Sequence, residues 1–308
     1  MWSGIKKRAG KAWLDLRCRG IYDSAPVDCD PASPVVVVSQ IYHPDMTMYL
    51  LAAKSFARHV TPRGFVLVDD GLTAEDRSVL TEHLGVVSFI ERREVPTDGL
   101  QEGGCWERLL TLAAQNREHY AVQLDADTLT LARPTEVLAC IAQRRSFTLG
   151  TSSGRQAVPL QQASHYAQAR RDDHVQSLAE CALEALDSTG QLLYVRGCAG
   201  FTGFAPGYLD VDRIRDFSQR IEALIGKDKW HRWGSEQVTS NFFAANAPDS
   251  LVLPIDTYSV WGPGADIERA VFAHFFGTFR FSGGMYARKG AQVAALTSDG
   301  TVAPHTGG

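Results

Sequence analysis

Long apolar runs are missing from this sequence. Its longest aliphatic stretch, Val35 to Val38, is four residues, against roughly 20 for a helix that crosses a bilayer, so no bilayer-spanning helix is written here. A basic surplus is missing too. Lys and Arg total 31 against 35 Asp and Glu, a formal net charge of -4, whereas a general nucleic-acid binder carries a basic excess or stripe. Nucleic acid is therefore not an expected partner. Cysteine is sparse: Cys18, Cys29, Cys105, Cys140, Cys181 and Cys198 form no CxxC pair. A disulfide scaffold is denser and smaller, and a zinc site shows paired short spacings, so the thiols read as reduced and the expected compartment as cytoplasmic. Repeats and low-complexity tracts are also lacking. What is present is 308 residues with 44% hydrophobic content, enough for a sizeable core in one large domain or two small ones.

The first twenty residues carry Lys6, Lys7, Arg8, Lys11, Arg17 and Arg19 against Asp15 alone, with Trp2, Ile5, Trp13, Leu14 and Leu16 interspersed. A signal peptide needs an apolar central region, and none follows these charges. Two readings stand side by side. In one, the segment is a peripheral anchor that lays Trp and Leu into the headgroup zone of an anionic membrane at its inner surface. In the other, it is a solvated arm or a first helix packed on the body. Pro26, Pro31 and Pro34 then mark a linker, so residues 1–33 are expected to be an arm and linker.

From residue 34 the pattern alternates. Pro34 to Tyr42 reads as a buried strand, because a continuous β-branched run suits a sheet covered on both faces. Asp45 to His59 has helical spacing, Gly64 to Asp70 is a second apolar strand, and Thr73 to Leu84 is a helix opened by a Thr73/Asp76 cap. Val86 to Ile90, a helix from Trp106 to His119 and the strand Tyr120–Leu124 follow. Strands alternating with helices at this spacing require crossover connections, which makes the fold α/β with a mixed, mostly parallel sheet flanked by helices. Pro159 to Leu186 is mostly helical, Leu192 to Val195 and Ala199 to Phe204 are returning strands, and Val211 to Ile225 is a further helix.

Ligands of open α/β sheets bind outside the carboxyl ends of the strands. Those ends carry Gln40 and Tyr42, Asp69-Asp70-Gly71, and Asp125-Ala126-Asp127. So many carboxylates at one edge repel one another unless a cation or donor hydrogen bonds offset them, and a hard divalent ion with a diphosphate is the natural partner. Three Asp-x-Asp pairs exist, but Asp28/Asp30 lies in the Pro-rich loop and Asp210/Asp212 opens a helix, where Asp is favoured by capping and the dipole. Only Asp125/Asp127 directly follows an apolar strand.

In that setting Tyr120-Ala-Val-Gln-Leu-Asp-Ala-Asp-Thr-Leu129 resembles the metal-binding segment of GT-A glycosyltransferases, single α/β domains that use a nucleotide-diphosphate sugar. The resemblance extends in order of elements over roughly residues 34–281. Arg108, in Trp106-Glu-Arg-Leu-Leu110, resembles the helix Arg of the glycogenin and bacterial lipopolysaccharide hexosyltransferase family. His274-Phe-Phe-Gly277-Thr-Phe-Arg280 resembles that family's His-x-x-Gly-x-x-Lys, with Arg in place of Lys. Trp230 to Gln237 resembles its acidic-Gln segment beside the reacting sugar. The resemblance implies a hexosyltransferase with Asp125, Asp127 and His274 on Mn2+ or Mg2+. It implies Gln40, Tyr42, Asp70, Arg108, Asp125 and Gly277 on the donor, and Glu236, Gln237 and Arg280 as catalytic groups. The donor is a nucleotide-diphosphate sugar, with a lean to UDP, and the acceptor a hydroxyl of a glycan or lipid-linked chain. Residues 34–150 would form the donor half, 151–290 the acceptor half and 291–308 a tail. Imidazole among oxygen ligands tilts the ion towards Mn2+, Gly277 permits close approach to the diphosphate, and Trp230 and Trp233 offer apolar faces to a sugar ring. Retaining and inverting chemistry both remain open, with Glu236 as base in the inverting case. A sugar-nucleotide nucleotidyltransferase is the rival of the same fold class, but Ser39 to Pro44 lacks the Gly-rich basic loop a triphosphate would need. A catalytically inactive sugar-binding or scaffold protein is the second rival, since fold does not dictate function.

Overall fold

The computed structural model describes residues 2–170 and 172–298. In chain order its elements are α1 (Trp2–Cys18), β1 (Val35–Ile41), α2 (Met46–Ala57), β2 (Gly64–Asp69), α3 (Ala74–Leu84), β3 (Val87–Glu91), α4 (Trp106–Asn116), β4 (Tyr120–Leu124), β5 (Thr128–Thr130), α5 (Thr135–Ala142), β6 (Phe147–Leu149), β7 (Val158–Pro159), α6 (Leu160–Arg170), α7 (Val175–Ala182), β8 (Leu193–Tyr194), β9 (Cys198–Phe204), α8 (Val211–Ile225), α9 (Lys227–Trp230), α10 (Ser235–Asn246), β10 (Leu251–Leu253), β11 (Tyr258–Val260), β12 (Phe272–His274) and α11 (Met285–Ser298). The fold is mixed α/β with a largely parallel central sheet flanked by helices. The chain divides into two compact units that interleave in sequence, not into consecutive halves. The first holds Met1–Ile90, Leu124–Leu138 and Asp256–Gly308, the second Glu91–Gln123 and Ala139–Ile255.

In the first unit the strands run in the order β1, β2, β3. β1 and β2 are parallel, from Val36 opposite Gly64 to Ile41 opposite Asp69. Val35 to Val38 are all buried, as a strand covered on both faces requires. α3 opens on the expected capping box: Thr73 accepts from the Asp76 amide and the Asp76 carboxylate accepts from the Thr73 amide, each satisfying an orphan donor of the first turn. A separate three-stranded sheet places β12 between β11 and β5.

The N-terminal segment differs from a loose arm. α1 is a helix packed on α11, with Leu14 and Cys18 fully buried and the Cys18 thiol donating to the Ala287 carbonyl at 3.7 Å. Residues 291–298, expected in the tail, continue α11, and 299–308 lie outside the described residues.

In the second unit the order is β10, β6, β9, β4, with β10 parallel and β9 antiparallel to β6. Its core is aromatic. Trp106 and Trp230 are fully buried and meet edge to face at 6.2 Å, a favoured quadrupole arrangement. The Trp230 indole donates to the Ser218 hydroxyl at 2.8 Å. Trp230 is thereby a core residue and offers no face to a sugar; Trp233 is 69% exposed. α8 starts on Asp210, whose carboxylate accepts from the Arg213 amide, so that Asp-x-Asp pair is a helix cap.

Candidate active site

The first unit assembles three side chains of two ligand types at one point. β4 ends at Leu124, whose carbonyl accepts from the Ser39 hydroxyl of β1 at 2.7 Å, and the next residues are Asp125-Ala126-Asp127. The chain then enters β5, which pairs antiparallel with β12 so that Thr128 faces His274. That register carries the imidazole to the acidic turn. The Phe275 amide donates to the Asp127 carbonyl at 2.8 Å, and the Tyr286 hydroxyl of α11 donates to the Ala126 carbonyl at 3.3 Å. Backbone and side chain alike fix the turn.

His274 Nε2 lies 3.0 Å from Asp127 Oδ1 and 3.7 Å from Asp125 Oδ2. One ligand atom from each of Asp125, Asp127 and His274 falls within a mutual 4.8 Å. Asp127 and His274 are buried, while Asp125 keeps partial exposure, so the group opens to solvent on the Asp125 side. Two carboxylates and an imidazole are a chemically sound donor set for Mn2+ or Mg2+.

Arg280 completes the group. Its Nη2 sits 2.5 Å from Asp127 Oδ2, and its Nε donates to the Phe275 carbonyl at 3.0 Å. Gly277, three residues earlier, has φ of +63°, a left-handed conformation that glycine adopts without a Cβ penalty; it turns the chain so that Arg280 folds back on Asp127. Burial pushes the Asp127 carboxyl up, but the charges of His274 and Arg280 and the imidazole bond outweigh it and hold the group below its ordinary value. Asp127 is thus kept ionised, the form in which a carboxylate can ligate a cation.

Gln40 and Asp70 also meet in the first unit, Gln40 Nε2 donating to Asp70 Oδ2 at 3.1 Å. The neighbouring Asp69 does something else. It is buried, accepts from the Gly71 and Leu72 amides and pairs with Arg77, which makes it the structural member of the acidic pair. Tyr42 is half-exposed, and burial with neighbouring Asp45 pushes its hydroxyl up.

Arg108, Glu236 and Gln237 belong to the second unit. Arg108 Nη2 lies 3.3 Å from Glu236 Oε1 with both side chains buried, and Gln237 Nε2 donates to Gln176 Oε1 at 3.2 Å. The partner shown for Arg108 is a protein carboxylate.

Sequence reasoning passed over Asp45. Its carboxyl is pushed up to about 7, chiefly by burial, with Asp127 and Asp125 adding to the shift and Arg280 and Lys11 opposing it. In the sequence it reads as a residue that starts a helix; only the fold brings it near Asp125 and Asp127. Tyr286 gave no signal either, since it reaches Ala126 from α11.

No protein-family model and no curated protein sequence matches the chain. Solved structures do. An active-site mutant of LgtC aligns over 85% of this chain and 95% of its own, with a TM-score of 0.50 and 11% identity. The chain has the GT-A glycosyltransferase fold. The galactosyltransferase LgtC in complex with donor and acceptor sugar analogues aligns over the same shares at 10% identity and a TM-score of 0.48. Core-mannan synthase A (CmsA/Ktr4) from Aspergillus fumigatus, in an Mn/GDP form, aligns over 91% of this chain and 88% of its own, at 11% identity and a TM-score of 0.40.

Proposed function

We propose that this protein is a metal-dependent hexosyltransferase that takes a nucleotide-diphosphate sugar, UDP-linked, and transfers the hexose to a hydroxyl of a glycan or lipid-linked acceptor. The observation that carries the reading is the convergence of Asp125, Asp127 and His274 at the exit of β4. Asp125, Asp127 and His274 would hold Mn2+, which supplies charge that stabilises a departing diphosphate. Arg280 is ion-paired to Asp127 in this state. With that carboxylate ligating a cation, the guanidinium would be free to meet diphosphate oxygens, which its fork suits. Gln40, Tyr42, Asp70 and Gly277 are proposed to contact the donor, with Tyr42 presenting a ring to the base. Arg108 is proposed to act through Glu236, holding its carboxylate in place; Glu236 and Gln237 would bind and activate hydroxyls. The test is turnover of UDP-hexoses. Hydrolysis or transfer should require Mn2+ or Mg2+ and stop in chelator; full turnover in chelator would overturn the reading.

The enzyme is also proposed to work at an anionic membrane surface. At roughly 100° per residue, Ile5, Trp13 and Leu16 share one stripe of α1, opposite the buried Leu14 and Cys18. They are 66%, 51% and 57% exposed. Lys6 and Arg17 flank one edge of this stripe and Arg8 the other, the arrangement of an in-plane interfacial helix. Among the described residues no helix is long and apolar enough to cross a membrane. Leu14 and Cys18 belong to the core, so the helix touches a bilayer by its outer stripe while staying folded on α11.

A further inference from the structure

The second unit contains a cavity of about 170 Å³ whose lining includes Arg155, Arg170, Arg196, Glu180 and Tyr166. We propose that it binds one monosaccharide unit bearing a phosphate or carboxylate group. The cavity is built, not incidental. Arg170 ends α6, Glu180 lies in α7 and Arg196 follows β8; the two guanidiniums both donate to Glu180 Oε2. The loop Thr151–Arg155 closes one wall. Thr151 Oγ1 donates to the Arg196 carbonyl at 2.6 Å, and a Cβ on Gly154 would stand 2.2 Å from the same oxygen, so only glycine lets the loop approach this closely.

Charge and unmet hydrogen bonds define the ligand. Three guanidiniums face one carboxylate, leaving an excess of two positive charges in the lining. Asp172 lies near but does not line the cavity; its carboxylate accepts from the Ser177 hydroxyl and the His174 amide. Glu180 is fully buried, yet among the described residues its Oε1 has no hydrogen-bond partner, and neither has the buried Nε of Arg170. Buried polar atoms are almost always paired, and this pair asks for opposite things: Oε1 for a hydroxyl donor, Nε for an acceptor. A sugar with an anionic substituent offers both. Arg155 is exposed at the rim with a planar fork suited to phosphate or carboxylate, and the half-exposed Tyr166 ring offers a face to the apolar side of a pyranose. The volume lies below the roughly 300 Å³ at which drug-sized pockets begin, a size that suits one sugar unit better than a nucleotide. That such a unit belongs to the acceptor rests on the proposed transferase function; the binding itself does not.

Calorimetry in chelator, without nucleotide, separates the two claims. Glucose 6-phosphate, glucuronate, glucose and inorganic phosphate are titrated into the full chain and into Arg155→Ala, an exposed substitution that spares the core. At least one charged sugar should bind, at least tenfold tighter than glucose and than inorganic phosphate, and Arg155→Ala should weaken it about tenfold. Binding of glucose 6-phosphate alone identifies the phosphate form, and of glucuronate alone the carboxylate form. Absence of binding by both charged sugars, inorganic phosphate as tight as the sugar phosphate, or an unchanged affinity in Arg155→Ala would overturn the proposal. Loss of metal-dependent donor binding would not affect any of these readings.

Discussion

Replacing Arg280 by Ala should destabilise the metal-free protein and much less the metal-loaded one. In the structure Arg280 Nη2 is 2.5 Å from Asp127 Oδ2, and the two side chains are 23% and 7% exposed. Removing one partner of a buried ion pair costs about 3–5 kcal/mol. Asp127 keeps its bond to His274 and the guanidinium was partly solvated, so about 2–3 kcal/mol is expected. Unfolding entropy of roughly 2.1 cal/mol/K per residue over 308 residues gives about 0.6 kcal/mol/K. The predicted loss is therefore about 3–5 °C in Tm, measured by calorimetry in chelator. Saturating Mn2+ supplies the missing countercharge and should shrink the deficit to less than half. With UDP-hexose, Arg280→Ala should lower kcat more than it raises KM, because a leaving-group contact matters most as charge develops. Arg280→Lys should fall between, since a point charge cannot serve both Asp127 and the Phe275 carbonyl. An equal Tm deficit with and without Mn2+ would refute the reasoning, because Arg280 and the cation would then not share Asp127.

Two other outcomes follow from the first unit. The protein should sediment with anionic vesicles at low salt and be released by the triple substitution Ile5→Ser, Trp13→Ser, Leu16→Ser; at about 1 kcal/mol per basic residue near such a surface, high salt should release it too, and indifference to vesicles at low salt would remove the membrane reading. Lys54 is buried and donates to the Ser24 hydroxyl and to the Ser24 and Ala25 carbonyls, and burial lowers its ammonium from 10.5 to about 8. Between those values the unfolded chain binds more protons than the folded one, so this group's contribution to stability rises with pH. The Tm of wild type minus that of Lys54→Met should therefore be more positive at pH 10 than at pH 7, and a difference independent of pH would contradict the assignment.

Much of the frame was legible because it is local. The run Val35 to Val38 marked a strand buried on both faces, Thr73 and Asp76 marked a helix start, and Tyr120–Leu124 was read with the boundaries it has. Position relative to a strand also separated Asp125/Asp127 from Asp210, which caps α8. What escaped is non-local. The pairing of β12 with β5 that delivers His274 is three residues long, too short to announce itself by periodicity. Nothing local says that Arg280 pairs with Asp127, that Arg108 pairs with Glu236, or that Asp45 is half-buried beside the acidic turn. Trp230 looked the same as Trp233 in sequence, yet one fills the core and the other is exposed. α1 shows the limit of charge composition. Its basic residues left a membrane anchor, a solvated arm and a packed first helix all open, and the buried Leu14 and Cys18, opposite the exposed stripe, decide that it packs on α11.

The central claim is that Asp125, Asp127 and His274 hold a divalent ion that in turn binds the donor diphosphate. Calorimetric titration of UDP into wild type and Asp127→Asn, each with Mn2+ and with chelator, tests it most directly. An amide is a poor ligand for a hard cation, and Asp127→Asn is close to isosteric. Wild type should bind UDP in Mn2+ and lose at least tenfold affinity in chelator, while Asp127→Asn, folded by circular dichroism, should bind weakly in both. UDP binding of equal strength in all four titrations, or none in wild type with Mn2+, would contradict the account.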